Sequence, residues 1–296
     1  MDELILPVPS LQLVQYAFTK QFDKSVEMIT KNKMKPYYDF LCKTEKLPKL
    51  ENLEAEPLTF VEQEEDDEYT KLTRVVKRAV HLAQQGSLDA IPIFEEVVST
   101  SGNVGLKIDS LLTCVRLNWL YNKDISEYMT RCDNLVENAD WDRRNKYKVY
   151  KAIDLLMKRQ FEESSVLLAE TLSTFNCTEI CTFQEYTQFA VIVCILIMSR
   201  PELKKLNIQV DNQLFIDYQQ SLYLCHYADF FNKLALVEGY MENHWILNLH
   251  LRYYIKEMKL KAYQQVLTSY QSIHIHHLAK LFGVSQDYME QYFIFI

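Results

Sequence analysis

Residues 79–90 read AVHLAQQGSLDA, and this stretch contains the signals that decide the fold. Ala79, Ala83 and Ala90 are small residues at positions where two helices would cross closely, and Gly86 lies between them. Glycine adopts the left-handed backbone conformation at little steric cost, so we expect Gly86 at a turn. The stretch therefore predicts the end of one amphipathic helix, a tight turn, and the start of a second helix that packs on the first.

The same pattern recurs along the chain as pairs of amphipathic helices. Further pairs are predicted over residues 107–139, 144–175, 183–208 and 215–237. In the second of these, Phe161, Leu168, Leu172 and Phe175 follow one another at spacings of seven, four and three residues, which places them on one helix face. Pairs of this kind cannot bury their apolar faces alone and stack into a solenoid, so the pattern resembles degenerate tetratricopeptide repeats. Solenoids usually bind partners and seldom catalyse.

Composition excludes several other classes of protein. The chain of 296 residues has only five glycines, where average usage of about 7% would give roughly twenty. Tight strand hairpins and phosphate-binding loops both depend on glycine, so a many-stranded barrel or a nucleotide loop is not expected. A net charge of −8 argues against a general role as a nucleic-acid coat. The composition favours an all-helical protein.

The cysteines and the apolar runs bear on where the protein works. Seven cysteines are scattered, odd in number and never spaced as Cys-x-x-Cys, which is typical of reduced thiols in the cytoplasm and nucleus. The longest apolar run, residues 189–198, has ten residues, whereas a membrane span needs about 20. We therefore expect a buried helix at this run and no attachment to a membrane.

Three segments are predicted. Residues 1–70 form an N-terminal helical extension whose stretch 62–68 has six carboxylates in seven positions; this is interpreted as a solvated linker or an acidic first helical turn, with docking of a basic partner as the alternative. Residues 71–242 form the helical repeats. Residues 243–296 contain a long helix, a short strand over Ser272–Ile275, and two short helices separated by Gly283 and by Ser285 as an N-cap. This order is typical of the first part of a winged helix.

Several motifs in order along the chain carry a resemblance to a known family. They are DWDRRNKYK at 140–148, RPELK at 200–204, YADFF at 227–231, YYIKEM at 253–258 and FGVS at 282–285, with PYY at 36–38 upstream. Together they resemble the family of non-ATPase subunit seven of the proteasome regulatory lid. The resemblance implies a tetratricopeptide-like array that leads into a PCI domain, and it covers most of residues 34–296.

The resemblance also implies a function and partners. Family members are non-catalytic scaffolds in the lid of the 26S proteasome and assemble with other PCI-domain lid subunits, the lid deubiquitinase module and the ATPase ring. Their winged helix continues through a wing hairpin and a long C-terminal helix, so the module is expected to be truncated before its wing at Ile296. The alternatives are a scaffold subunit of the COP9 signalosome and an RNA-associated PCI-domain protein.

Candidate interface residues fall in three places. Asp140 is expected to cap a helix and Trp141 to pack between repeats, while the two arginines that follow are either structural or bind carboxylates of a neighbouring subunit. A basic stripe on the long helix is either a solvated face or a site for an acidic protein or RNA. The strand edge at Ser272–Ile275 and the surfaces of the two short helices would join winged helices side by side. The candidates are Arg143, Arg144, Arg252, Lys256, Lys259, Ser272, Ile273, His274, Ile275 and Asp287.

Catalytic and metal sites are not expected. His274, His276 and Asp287 partly match the zinc signature of a lid deubiquitinase, but Val284 occupies the position of its serine. The last short helix has no basic residue with which to contact DNA. The sequence therefore predicts no catalytic residue, no metal and no cofactor, and nucleic acid is not an expected partner.

Overall fold

The computed structural model describes residues 7–45, 67–205 and 210–294, and every regular element in these ranges is a helix. The α-helices are α1 (Gln12–Phe18), α2 (Phe22–Lys31), α3 (Lys35–Glu45), α4 (Glu68–Gln84), α5 (Ala90–Thr100), α6 (Val104–Leu120), α7 (Ser126–Val136), α8 (Trp141–Met157), α9 (Phe161–Thr171), α10 (Phe183–Ile197), α11 (Arg200–Lys205), α12 (Gln213–Tyr223), α13 (Tyr227–Glu242), α14 (Leu251–Leu267), α15 (Ile275–Phe282) and α16 (Gln286–Ile294). Short 3-10 helices lie at Leu172–Thr174 and Leu247–His250. The prediction of an all-α fold is confirmed.

The predicted helical pairs correspond to consecutive helices. The pair over 107–139 is α6 and α7, that over 144–175 is α8 and α9, and that over 215–237 is α12 and α13. The pair over 183–208 is α10 and α11, and its residues 206–208 lie outside the described ranges. None of the described helices is both long and apolar enough to cross a membrane.

Packing divides the described chain into two units. The first contains residues 7–45 and 67–151 together with Ser173–Thr182, and within it α4, α5, α6 and α7 pack on one another in chain order. The second contains residues 152–172, 183–205 and 210–294; within it α9 packs on α10, α12 on α13, and α13 on both α14 and α15. The domain limits at 70/71 and 242/243 stay a prediction.

The turn between α4 and α5 has the predicted geometry. Ala79 and Ala83 are fully buried, and Gly86 has a φ of 69°, in the left-handed region. A Cβ at Gly86 would lie 2.9 Å from Met34 Cε and 3.1 Å from Tyr37 Cβ. Glycine is therefore required here twice over, because it permits the backbone conformation and lets α3 approach the turn closely. The preceding acidic stretch lies outside the described residues as far as residue 66, and Asp67 caps α4 by accepting from Thr70 N at 2.9 Å.

A buried arginine organises the core of the first unit. Arg116 projects from α6 and is only 1% exposed. Its Nη2 donates to the carbonyl oxygen of Val8 at 3.0 Å and to Thr113 Oγ1 at 2.7 Å. Its Nη1 donates to the hydroxyl of Tyr150 and lies 3.6 Å from Glu179 Oε1. A buried charge is tolerated only when it is paired and hydrogen-bonded in this way.

Glu179 is the acid that balances this arginine. Its side chain is 2% exposed, and its Oε1 accepts from the Tyr150 hydroxyl at 2.8 Å and lies 3.6 Å from Lys146 Nζ. The backbone carbonyl of Glu179 accepts from Leu11 N at 2.8 Å. The network therefore fastens two irregular segments, the chain before α1 and the loop around Glu179, to helices of the first unit.

Replacement of Arg116 by methionine tests the weight of this network. We expect R116M to lower the free energy of unfolding by roughly 3 kcal/mol, because it removes the buried cation beside the Glu179 carboxylate and the donor to the Tyr150 hydroxyl. Denaturant titration followed by tryptophan fluorescence would measure this, since the Trp119 ring stacks on Tyr150 at 5.9 Å. Arg78→Met, at an exposed position of α4, is the matched control and should change stability by less than ~0.5 kcal/mol. Equal losses in the two variants would contradict the assignment.

Aromatic packing holds together the helices of the second unit. The ring of Phe282 on α15 lies 4.6 Å from Tyr263 on α14 and 4.8 Å from Phe231 on α13, measured between centroids. The hydroxyls of Tyr218 and Tyr254 are both buried and hydrogen-bond to each other at 2.9 Å. Such ring pairs add to the free energy of apolar burial and orient three helices around one cluster.

The prediction of a buried helix at 189–198 is confirmed as far as Ile195; Ile197 is 37% exposed. Residues Tyr186 to Ile195 of α10 are all buried. The C-terminal end of α10 is capped by Lys261 of α14, whose Nζ donates to the carbonyls of Ile195, Leu196 and Met198 at 2.6, 3.0 and 2.7 Å. A cation at this end satisfies carbonyls that have no partner within the helix and complements its dipole.

The C-terminal segment differs from the prediction at one point. Gly283 ends α15 with a φ of 64°, and Ser285 Oγ accepts from Tyr288 N at 3.2 Å as the predicted cap of α16. The predicted strand at Ser272–Ile275 is wrong, because residues 272–274 have no regular structure and α15 begins at Ile275. A strand needs a backbone partner to satisfy its N–H and C=O groups, and no other strand lies in the described ranges.

Two glycines of the second unit should respond to alanine with opposite sign. Gly283→Ala should lower the free energy of unfolding by ~1–2 kcal/mol, because alanine is strained at a φ of 64° and its Cβ would lie 3.2 Å from the Ala228 Cβ. Gly239→Ala should raise it by ~0.5–1 kcal/mol, because Gly239 is within α13 and no atom lies within 4 Å of a Cβ there. Denaturant midpoints of the two variants would test this, and shifts of the same sign would contradict it.

Candidate interaction surfaces

The N-terminus of α8 is capped as predicted. Asp140 Oδ1 accepts from the backbone N–H of Arg143 at 2.9 Å. Asp142 in the first turn accepts from Asn176 Nδ2 at 2.8 Å, and Asn145 Nδ2 donates to the carbonyl of Thr174 at 2.8 Å. Asp140 therefore caps α8, while Asp142 and Asn145 connect the start of α8 to residues 174–176 at the end of the 3-10 helix and just after it.

Arg143 is used within the chain. Its Nε donates to Asp109 Oδ2 of α6 at 2.9 Å, and its Nη1 forms an ion pair with Asp140. Burial raises the pKa of Asp109, while Lys146 and Arg143 act in the opposite direction. A Cβ at Gly105 would lie 2.6 Å from the Arg143 Nε, so the absence of a side chain there leaves the room that the guanidinium occupies. Only 14% of the Arg143 side chain is exposed.

Trp141 and Arg144 face outward. Trp141 is 63% exposed, so the prediction that it packs between repeats is wrong. The physical reason is its register on α8: the inward positions of the next turns are taken by Asn145 and Tyr147, which are buried. Trp141, Arg144 and Lys148 are all exposed and stand at i, i+3 and i+7, on one side of the helix. Of the two adjacent arginines, Arg144 is therefore available to a partner, whereas Arg143 forms ion pairs within the chain.

Replacement of Arg143 and of Arg144 by alanine should have different effects on the free energy of unfolding. We expect Arg143→Ala to lower the free energy of unfolding by ~1–3 kcal/mol, because Asp109 loses a charged donor in a largely buried position. Arg144→Ala should change it by less than ~0.5 kcal/mol, because Arg144 is exposed. Denaturant titrations of both single variants would measure the difference, and a larger loss for Arg144→Ala would contradict the geometry.

The basic stripe of α14 has two exposed members. Arg252 and Lys256 are exposed, while Lys259 is half-buried and donates from Nζ to the Tyr288 hydroxyl at 3.0 Å. The Lys259 ammonium also lies 5.7 Å from the centre of the Tyr288 ring. Lys259 therefore holds α16 against α14, and a partner would meet only Arg252 and Lys256 of the predicted stripe.

The residues around the start of α15 form an exposed apolar surface. Ser272, His274 and Ile275 are exposed and Ile273 is half-buried. Leu267, Tyr270 and Ile275 are 39%, 46% and 39% exposed, and the ring of Tyr270 lies 6.5 Å from that of His277. Asp287, in the first turn of α16, is exposed as well. A partner would therefore contact side chains in this region, because this described part of the chain has no strand edge whose backbone it could pair with.

The histidines of this region are exposed. His274, His276 and His277 all lie on the surface near the start of α15. In the part of the chain that the structure describes, no three histidine, cysteine, aspartate or glutamate residues stand close enough together to hold a metal ion.

Arg159 is a surface residue that the sequence reasoning missed. It follows α8 with a φ of 63°, and its guanidinium lies 5.1 Å from the centre of the Tyr253 ring. Tyr253 and Leu249 are 39% and 54% exposed beside it. The available signal was weak: a single arginine before a helix has no periodicity, and its neighbours lie about ninety residues later in the chain.

Comparison with known proteins gives two family matches. Residues 41–206 match the family described as 26S proteasome subunit RPN7, and residues 227–294 match the PCI domain. The first match spans more than half of the chain, and the second contains α13 to α16.

Individual relatives agree with these matches. The chain is 28% identical to the 26S proteasome non-ATPase regulatory subunit 6 of Dictyostelium discoideum, over 98% of the chain and 85% of the relative. It is 32% identical to the 26S proteasome regulatory subunit rpn7 of Schizosaccharomyces pombe, over 68% of the chain and 54% of the relative. It is 29% identical to the corresponding subunit RPN7 of Saccharomyces cerevisiae, over 86% of the chain and 62% of the relative.

Proposed function

Since the chain belongs to the 26S proteasome subunit RPN7 family, we propose that it is a non-catalytic scaffold subunit in the lid of the 26S proteasome regulatory particle. Its role would be to support assembly of the lid and thereby the ATP-dependent degradation of ubiquitinated proteins. The relatives named above are 26S proteasome regulatory subunits, which supports this assignment.

The observation that carries the proposal is the succession of two matched regions in one chain. The RPN7 match ends at residue 206 and the PCI match begins at residue 227. In physical terms, the first region contains helices α4 to α7, which pack on their neighbours in chain order, and such packing leaves helix faces exposed to partners. The second adds a small helical module with its own aromatic core. In both regions, the helix faces that do not pack in the core are exposed and could bind partner subunits.

The mechanism that we propose is positional. The exposed apolar surface around Leu267, Tyr270 and Ile275 would be covered by the PCI module of a neighbouring lid subunit, since large exposed apolar side chains mark interaction sites when they cluster. Burial of these side chains takes the place of strand pairing at Ser272–Ile275, because that segment is not a strand. The contact gains free energy from apolar area, and Asp287 and the nearby histidines would set its orientation.

A second contact is proposed at the start of α8. Trp141 is 63% exposed, and Arg144 and Lys148 share its side of the helix. Tryptophan and arginine are the residue types most enriched among side chains that dominate binding at interfaces. We infer that this side of α8 meets another subunit, with Trp141 in an apolar pocket and Arg144 on a carboxylate.

Membership of the regulatory particle implies assembly with its other subunits. The specific partners that we propose are the other PCI-domain lid subunits, the lid deubiquitinase module and the ATPase ring. We further propose that the protein works in the cytoplasm and nucleus; the cysteines of the described chain are all free thiols, five of them buried, which suits a reducing compartment.

Native mass spectrometry of the tagged protein, purified from its own cells at moderate salt, tests the function. We expect co-purification with ATPase-ring and peptidase subunits. A lid-sized set that lacks both would indicate a signalosome scaffold in its place, and a lone chain that carries RNA would indicate an RNA-associated PCI protein. Either outcome would overturn the proposal.

Charge reversal at Arg144 tests the α8 contact in the same preparation. We expect Arg144→Glu to reduce recovery of partner subunits by about tenfold, because loss of a central interface arginine typically costs more than ~1 kcal/mol and the new carboxylate repels its former partner. Far-ultraviolet circular dichroism should stay unchanged, since Arg144 is exposed. Arg78→Glu, an exposed reversal on α4, is the control. Equal recovery from both variants would exclude Arg144 from the contact.

A further inference from the structure

One exposed face of the second unit combines cations with apolar side chains. Leu249, Arg252, Tyr253 and Lys256 occur at i, i+3, i+4 and i+7, from the 3-10 helix into α14, and all four are exposed. The positions opposite, Tyr254, Ile255 and Met258, are buried in the core. We call the surface formed by Arg159, Leu249, Arg252, Tyr253 and Lys256 the α14 outer face.

Arg159 is hydrogen-bonded to Leu249 of this face and to the adjacent His250. Its Nη2 donates to the carbonyl of Leu249 at 3.2 Å and its Nε donates to His250 Nδ1 at 3.3 Å. The guanidinium also lies over the Tyr253 ring, 5.1 Å from its centre, and the Phe161 ring lies 5.9 Å from that of Tyr253. Among the described residues, the Nη1 of Arg159 has no hydrogen-bond partner. A fixed guanidinium with a nitrogen to spare binds a carboxylate with little further loss of side-chain entropy.

His250 contacts Arg159 through a ring nitrogen that can accept a hydrogen bond at neutral pH. Burial first, and the adjacent Arg159 second, lower the pKa of His250 to about 4. His250 is therefore neutral at pH 7, and its Nδ1 can accept the hydrogen bond from Arg159. The ring of Phe161 packs edge-on against His250 at 5.2 Å and fixes its orientation.

The charge of the face is opposite to that of the chain as a whole. The protein has a net charge of −8, yet three cations, Arg159, Arg252 and Lys256, lie around Leu249 and Tyr253. Three acids are near these cations in sequence: Glu257 is half-buried, and Glu162 and Glu163 are exposed in the first turn of α9. A group of three exposed cations around two apolar side chains favours an acidic partner, and charge complementarity of this kind directs association.

We propose that the α14 outer face docks an acidic segment of another protein chain in the same assembly. Carboxylates of that segment bind Arg159, Arg252 and Lys256, and one of its aliphatic or aromatic side chains packs across Leu249 and Tyr253. A protein segment fits better than RNA, because an RNA strand needs a longer basic track and is repelled by the acidic remainder of this chain. The inference rests on the proposed function only in placing that segment on a fellow subunit.

Photo-crosslinking in the purified assembly tests the inference. Leu249 is replaced by the photoreactive amino acid p-benzoylphenylalanine, the complex is irradiated, and the crosslinked peptide is identified by mass spectrometry. We expect a peptide of another subunit that contains a cluster of aspartate and glutamate. The same replacement at Leu236 of α13, which is 57% exposed, is the positional control and should not capture that peptide.

Charge reversal in the crosslinking background supplies the second readout. Arg252→Glu with Lys256→Glu should reduce the crosslink at Leu249 by about tenfold or more, and higher salt should weaken the crosslink of the unaltered face. Lys77→Glu with Arg78→Glu makes the same change in net charge at exposed positions of α4 and should leave the yield unchanged. Circular dichroism of both double variants checks that the fold is retained.

The outcomes separate this inference from the proposed function. Subunit composition is read before irradiation, so a chain recovered without other subunits overturns both proposals. In an intact assembly, the docking inference alone is overturned by a crosslink to RNA, a peptide without clustered acids, no crosslink at Leu249, or a yield that charge reversal does not change.

Discussion

The buried guanidinium of Arg116 is the interaction on which the first unit depends. A full charge in an apolar helix core is stable only when it is hydrogen-bonded and paired with an opposite charge. Here the acceptors are the carbonyl of Val8 and the hydroxyls of Thr113 and Tyr150, and the carboxylate of Glu179 lies 3.6 Å from the guanidinium as its counter-charge. Segments without regular structure are thereby held in place by a helix, and the surfaces that adjoin them acquire a defined shape.

In the second unit, aromatic packing and helix capping hold the helices together. Phe231, Tyr263 and Phe282 bring α13, α14 and α15 together, while Lys261 satisfies the terminal carbonyls of α10. With its inner side committed to the core, α14 presents Arg252 and Lys256 outward. In each unit the core determines which side of a helix is buried. The side chains on the opposite side are exposed and are the ones available for binding.

Residues of the same type that are close in sequence differ in exposure in this protein. This difference determines which of them a partner can contact. Arg143 is paired with Asp109 and Asp140, whereas Arg144 is exposed. Lys259 donates to Tyr288, whereas Lys256 one turn earlier is exposed. In each pair the inward member fixes the helix that carries the outward one. A scaffold needs both roles, because an interface on a loosely held helix would lose free energy to ordering upon binding.

The sequence by itself determined the helical class, the order of the helical pairs, the glycine turns and caps, and the family. These features depend on periodicity, on scarce glycine and on side chains within four positions of one another, all of which are local. Only the tertiary structure decided that Trp141 is exposed, that Ser272–Ile275 is not a strand, and that Arg159 lies against Tyr253. Only the tertiary structure also separated Arg143 from Arg144. Contacts such as these join residues distant in the sequence: Asp109 lies 34 residues before Arg143, and His250 lies 91 residues after Arg159. No local pattern records which side chains folding will bring together across such separations.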